Sequence, residues 1–191
     1  FDADIIKEAI NFELSRNGQV FPINNRISNM RELENLIHKH VPDARVCIGH
    51  GQMEPQELEK RLYDFINHDY DVLIATSIVE NGIDIPNVNT IIINQAQSFG
   101  LSDLHQMRGR VGRGKRKSYC ILVSETEKES DSTAARRLSV MRSTYDGFAI
   151  AEHDLALRGP GDFLSGADSD AIRQSGGVKF RLAALCDDTG L

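Results

Sequence analysis

The feature that most constrains this chain is an alternation. Short runs dense in apolar and β-branched residues are QVFPIN from Gln19, ARVCI from Ala44, DVLIAT from Asp71, TIIIN from Thr90 and SYCILV from Ser118. Between them lie stretches whose apolar residues recur at helical spacing, such as Ile6, Ala9, Ile10 and Leu14, or Leu58, Leu62, Phe65 and Ile66. Strands alternating with helices predict an α/β fold, a mostly parallel sheet covered on both faces. Helix punctuation agrees. Asn17-Gly18 reads as a C-cap, Asn29 and Glu32 have the spacing of a capping box, and Pro55 stands in a first turn. QVFPIN reads as a short strand, which Pro22 weakens by removing one backbone donor.

Open parallel sheets bind ligands at the C-terminal ends of their strands. That rule selects Asn24-Asn25, His50-Gly51-Gln52 and the segment from Thr76 to Asp84 as one rim, each polar or glycine-containing. From Glu125 to Thr133 the composition turns to Glu, Lys, Ser, Thr and Asp, which predicts an exposed loop and a boundary near Glu129. Helical stretches follow at Ala134 to Ser143 and Ile150 to Leu157. A Gly159-Pro160-Gly161 turn is expected to end helical structure.

The formal net charge is −6, yet LHQMRGRVGRGKRK, from Leu104 to Lys117, holds six Lys and Arg in fourteen residues. The acidity argues against wholesale coating of nucleic acid but permits a local basic face. Gly109 to Lys115 reads G-x-x-x-x-G-K. Arg116 then stands where a magnesium-binding hydroxyl belongs, and the run follows a helix where a phosphate loop would follow a strand. A solvated basic loop is the plain alternative. No apolar run reaches the roughly 18 residues of a membrane span. Cys47, Cys120 and Cys186 are odd in number and far apart, which predicts reduced cytosolic thiols with neither a disulfide framework nor a metal site. The start at Phe1, without a signal segment, predicts an excised fragment.

Taken together, Gln106, Gly109, Arg110, Gly112 and Arg113 form Q-x-x-G-R-x-G-R, which resembles the sixth motif of superfamily 2 helicases and translocases. The resemblance implies a RecA-like lobe over residues 1–129 in which Arg110 and Arg113 reach the γ-phosphate of ATP held by another lobe. Gln106 and Gly109 would belong to the same nucleotide site. The chemistry suits the residue type, since guanidinium is planar and always charged, and a supplied arginine is worth roughly 10³–10⁵ in phosphoryl-transfer rate. VLIATSIVENGIDIPNVNTIII resembles motif V, which implies that Thr76 donates to a phosphate of the tracked strand, that Gly82 allows the turn, and that Asp84 accepts from an ATP ribose hydroxyl. FPINN and IGHGQM occupy the places of motifs IV and IVa and imply DNA-backbone contacts for Arg26, His50 and Gln52. A structural histidine is the plain reading of His50.

HGQM, GIDIPNVNTIII and GLSDLHQMRGRVGR are similar to the RecG and transcription-repair-coupling-factor branch. So is RRLSVMRSTYDGFAIAEHDLALRGPGDFL followed by RQSGGVKFRLAAL, which resembles that branch's TRG element, a helical hairpin and loop, here residues 130–191. Its motor-coupling residues match Arg137, Arg158 and Gln174. The first 123 residues look more like the coupling factor, and those from Arg137 onward more like RecG. The linker SGADSDAIRQSGG is longer than usual, which affects the register of Gln174. The branch implies bacterial cytoplasm and association with the nucleoid. Its partners would be double-stranded or branched DNA, a first RecA-like lobe and, for a coupling factor, RNA polymerase, with no membrane. ATP and Mg²⁺ would be held mainly by the first lobe, whose Walker motifs are not in this sequence, so the chain alone is expected not to hydrolyse ATP. A different class of reading is a non-catalytic DNA-binding or protein-docking module that retains the lobe fold only.

Overall fold

The computed structural model describes residues 3–76, 88–112, 116–125 and 132–165, with 158–165 described as backbone. In chain order the elements are α1 (Ala3–Ser15), β1 (Gln19–Ile23), a 3-10 turn (Ile27–Asn29), α2 (Met30–His40), β2 (Val46–Gly49), α3 (Pro55–Ile66) and β3 (Val72–Ala75). Then follow β4 (Val88–Ile93), a second 3-10 turn (Ala96–Ser98), α4 (Leu101–Arg108), β5 (Tyr119–Leu122), α5 (Thr133–Ser143) and α6 (Gly147–Ser165). The five strands make one sheet in the order β2-β3-β1-β4-β5, and every pairing is parallel. This is the α/β architecture that the alternation predicts, a RecA-like lobe followed by two helices.

Side chains alternate across each strand, so a sheet buried on both faces needs apolar residues at successive positions. Val20, Val72, Ile74 and Ile92 point to one face, where Ile6 and Ile10 of α1 and Met30, Leu33 and Ile37 of α2 cover them. Phe21, Ile23, Leu73, Ile91 and Ile93 point to the other, beneath Phe65 of α3, Leu101, Leu104 and Met107 of α4, Met141 of α5 and Ile150 of α6.

β1 is the central strand of the sheet although it carries Pro22. The N–H groups of Val20 and Asn24 donate to β3-side carbonyls, those of Asp71 at 3.0 Å and Ala75 at 2.9 Å. Pro22 stands between them without a donor, and β1 pairs with β3 only at Val20↔Val72 and Ile23↔Ala75. On the other side β1 pairs with β4 without a break from Val20 to Ile23. One absent hydrogen bond costs about 1 kcal/mol. Burial of Phe21 and Ile23 outweighs it, at roughly 1.5–3 kcal/mol for each side chain.

Three further local expectations are corrected. The Asn29–Glu32 capping box is absent, because Ile27–Asn29 already turns as a 3-10 helix and Asn29 is helical (φ −91°, ψ −4°), with no side-chain cap bond. Ile66 is 40 % exposed, because it is the last residue of α3 and lies beyond the covered stripe. Helix α6 continues through Gly159-Pro160-Gly161 to Ser165. Proline's fixed φ is itself helical, so the backbone passes at the loss of one hydrogen bond.

The turn after α1 is built around a buried acid. Glu13 is fully buried and accepts from Arg16 Nε (2.8 Å), Arg16 Nη2 (2.6 Å) and the Thr90 hydroxyl. Asn17 takes the left-handed conformation (φ 54°) that ends the helix. Gly18 is required by close approach, since a Cβ there would lie 2.1 Å from Glu13 Oε2.

Candidate nucleic-acid and nucleotide interface

In a parallel sheet all strand C-termini lie on one side, and the register sets which residues stand abreast. Gly49 pairs with Ala75, Ala75 with Ile23, and Ile23 with Ile93. The next residue on each strand therefore falls in a row: His50, Thr76, Asn24 and Asn94. With neighbouring strands about 4.8 Å apart, the row is roughly 14 Å long. Asn24, Thr76 and Asn94 are buried. Asn94 donates its Nδ2 to Asn24 Oδ1 at 2.9 Å. Asn24 Nδ2, His50 Nδ1 and Thr76 Oγ1 are buried and have no hydrogen-bond partner among the described residues. Buried polar atoms are normally paired, so this row is a candidate contact for a polar group.

Beside His50 lies a groove of about 390 Å³ lined by Gln52, Arg31, Glu57 and Arg61 among others. Gln52 is exposed, and so is Arg26, whose extended backbone leads into the 3-10 turn. Arg61 is committed, since it donates to Ile48 O at 2.7 Å and to Glu57 Oε1 at 2.7 Å. At the opposite end of the sheet, Asp71 accepts from the N–H and the guanidinium of Arg45 at 2.7–3.0 Å. Burial works against the Asp71 carboxylate, but these bonds outweigh it and hold its pKa below the ordinary carboxylate value.

The basic run divides by role. Gln106 is exposed on α4, and Gly109 caps that helix by donating its N–H to His105 O. Arg110 follows, half-buried, with no side-chain partner among the described residues. Arg108 and Arg116 are instead bonded to backbone carbonyls. A cleft of roughly 730 Å³ opens beside this run, lined by His105, Arg108, Gly109, Gly112, Arg142 and Tyr145 among others. In α5, Arg137 Nη1 donates to Phe99 O at 2.7 Å, the residue preceding Gly100 and α4. Arg158 falls where α6 is described as backbone, while Gly82, Asp84, Arg113 and Gln174 lie outside the described residues.

Sequence reasoning missed Asn94, Arg108 and Arg116. The strand-end rule applied to TIIIN finds Asn94. The two arginines carry no local signal, because their acceptors are 33–36 and 99–100 residues away. Cys47 is buried and Cys120 partly buried, and burial pushes the Cys47 pKa up to about 12 and that of Cys120 to about 11. Among the described residues no cluster of three or more His, Cys, Asp or Glu is placed to hold a metal, and no helix is long and apolar enough to cross a membrane.

Comparison with known proteins gives these residues a context. The family model for the helicase conserved C-terminal domain matches residues 3–115. The transcription-repair-coupling factor of Staphylococcus epidermidis is 43% identical over 166 residues, 85% of this chain and 14% of that protein. The Escherichia coli K12 coupling factor is 42% identical over 179 residues, 92% of this chain and 16% of its own length. This chain thus spans about a sixth or less of these relatives. RecG bound to a three-way DNA junction superposes with a TM-score of 0.69 at 36% identity, covering 84% of this chain and 21% of that one. The C-terminal domain of the DEAD-box protein Dbp5, at 21% identity and TM-score 0.56, covers 76% of this chain and 78% of that domain, and shows the shared fold alone. The chain belongs to the helicase conserved C-terminal domain family, as the C-terminal lobe of a superfamily 2 helicase of the RecG and transcription-repair-coupling-factor branch.

Proposed function

We propose that this lobe and its helical hairpin form the second motor lobe and coupling element of an ATP-dependent double-stranded DNA translocase. Its work is fork processing of the RecG kind or displacement of stalled RNA polymerase of the coupling-factor kind, in DNA repair and recombination. The observation that carries the reading is the row of orphaned polar atoms on Asn24, His50 and Thr76 at the C-terminal rim. A phosphodiester backbone supplies acceptors along its length, which suits the Asn24 amide and Thr76 hydroxyl, and His50 Nδ1 when it carries the proton. Arg26 and Gln52 extend the same rim with exposed donors. Family membership supports DNA as the occupant.

ATP with Mg²⁺, held mainly by a first lobe, supplies when bound a highly charged phosphoryl group for transfer. Arg110 fits such a neighbour, because its guanidinium has no partner among the described residues and its chain neighbours Gly109 and Val111 line an open cleft. Arg113, Gln106, Gly82 and Asp84 complete the proposed nucleotide contacts, and Arg137, Arg158 and Gln174 the coupling set. In the full-length gene product, Arg110→Ala is expected to lower DNA-stimulated kcat by about 10³. Thr76→Val is expected to weaken DNA binding across sequences alike, since backbone contacts carry no sequence information. A loss under tenfold at Arg110, with DNA affinity unchanged at Thr76, rejects the motor reading and leaves a docking module.

A further inference from the structure

Three arginines of the basic run are described, and two of them do the same thing at different places. Arg108 Nη1 donates to the carbonyls of Met141 at 2.7 Å and Thr144 at 2.9 Å, in the last turn and at the C-cap of α5. Its guanidinium stands 4.5 Å from the centre of the Tyr145 ring, and its Nη2 lies 3.3 Å from His105 Nδ1. Arg116 Nη1 donates to the carbonyls of Arg16 at 2.5 Å and Asn17 at 3.1 Å, just past the end of α1. Arg16 is itself fixed by Glu13 and lies over the rings of Phe12 and Tyr119 at 4.7 and 5.7 Å.

A helix C-terminus leaves carbonyls without intrahelical donors and carries partial negative charge, so a guanidinium satisfies both. The two helices lie on opposite faces of the sheet, α5 in the cluster with Phe21 and Ile91, α1 in the cluster with Val20 and Ile92. The run that carries Arg110 is therefore tied on both sides of the sheet, through one guanidinium nitrogen of each arginine placed on backbone carbonyls.

We propose that Arg108 and Arg116 are positioning residues, each fastening one end of the run that carries Arg110 to the C-terminus of a different helix. This rests on the nucleotide reading of Arg110 and assigns the neighbouring cations a separate task. Misplacement of a catalytic group by about 1 Å lowers rate about a hundredfold. A run tied at one end only is expected to lose part of that.

The test is a mutant cycle on the full-length gene product. Arg108→Ala and Arg116→Ala are made singly and in the Arg110→Ala background. Each single variant is expected to lower kcat by about 10–100-fold, with KM for ATP, DNA affinity and its salt dependence essentially unchanged. In the Arg110→Ala background the further loss is expected to shrink to about threefold or less, because the group being positioned is gone; the remainder allows for Arg113 in the same run. An equal loss in both backgrounds overturns the proposal, as does a weaker salt dependence of DNA binding, which makes these arginines phosphate contacts. Arg108→Lys and Arg116→Lys keep the cation, are expected to give about fivefold losses, and carry the same cycle if an alanine variant fails to fold by circular dichroism. If Arg110→Ala alone changes kcat less than tenfold, it is the nucleotide reading that fails. If it does not, but the clamps act additively, only the clamps fail.

Discussion

On one face of the sheet, α1 and α2 lay Ile6, Ile10, Met30, Leu33 and Ile37 against Val20, Val72, Ile74 and Ile92. On the other, α3 and α4 cover part of the surface, and α5 and α6 close the rest with Met141 and Ile150 as their most buried apolar residues among the described side chains. The same hairpin leaves Tyr145 83%, Phe148 85% and Leu155 54% exposed. What it lacks in apolar burial it replaces with directed bonds, Arg137 to Phe99 O and Arg108 to Met141 O and Thr144 O. The contrast teaches a division of labour. Apolar burial is non-directional and grows with area, so it closes a face firmly. A few charge-assisted bonds to carbonyls specify an orientation and can be exchanged one at a time.

The comparison breaks most visibly at the two buried isoleucines. Ile10→Ala removes a side chain with no exposure and is expected to destabilise the whole lobe by about 2–5 kcal/mol in urea unfolding. Ile150→Ala, 2% exposed, is expected to cost less globally, toward the low end of about 2–5 kcal/mol, and to speed hydrogen exchange in α5 and α6 while leaving the strands protected. Equal and global effects at both positions show that the hairpin is as much core as α1.

The directed bonds are tested next. Arg137→Ala in the full-length gene product is expected to reduce translocation per ATP about tenfold, with DNA-stimulated ATPase changed less than threefold. It removes a tie between the hairpin and the residue before α4 and no nucleotide contact. Proportional losses in both assays assign Arg137 to folding. Arg158→Ala belongs in the same experiment, with the same expected pattern.

A smaller effect separates the ends of the sheet. Because the folded pKa of Asp71 is depressed, its pairing with Arg45 contributes stability above the unfolded value of about 3.9, and that contribution is lost as pH falls through the folded value. Arg45 is half exposed, so Asp71→Asn should cost about 1 kcal/mol at pH 7. Stability curves of the two proteins should converge toward low pH. Parallel curves from pH 7 to pH 2 contradict the assignment.

The smallest signal is thiol reactivity. With pKa values of about 12 and about 11, Cys47 and Cys120 should be alkylated at pH 8 at about a thousandth and about a hundredth of a free thiol's rate, or less. Cys120 lines the cleft beneath the α5–α6 turn. Its labelling is expected to rise in Ile150→Ala while that of Cys47 does not, which mass spectrometry reads directly.

Much of this molecule is written in local pattern. Continuous apolar runs sufficed for the five strands and helical apolar spacing for α1 to α5, since a strand buried on both faces shows no alternation and a helix buries one stripe. The strand-end rule selected His50, Thr76 and Asn24 because parallel pairing puts all strand C-termini together. The Q-x-x-G-R-x-G-R run marked the basic segment as one unit. Tertiary structure decided what depends on distant partners. Sheet order put Pro22 at the centre, because the long-range pairing with β4 and burial of its neighbours exceed one lost bond. Register, not sequence distance, aligned Asn94 with Asn24. The six cations look alike along the chain, yet the fold brings the carbonyls of α5 to Arg108 and those of α1 to Arg116, while the Arg110 side chain has no partner among the described residues. An arginine's task is set by which acceptors are within reach of its five donors, and that reach is a property of the folded chain.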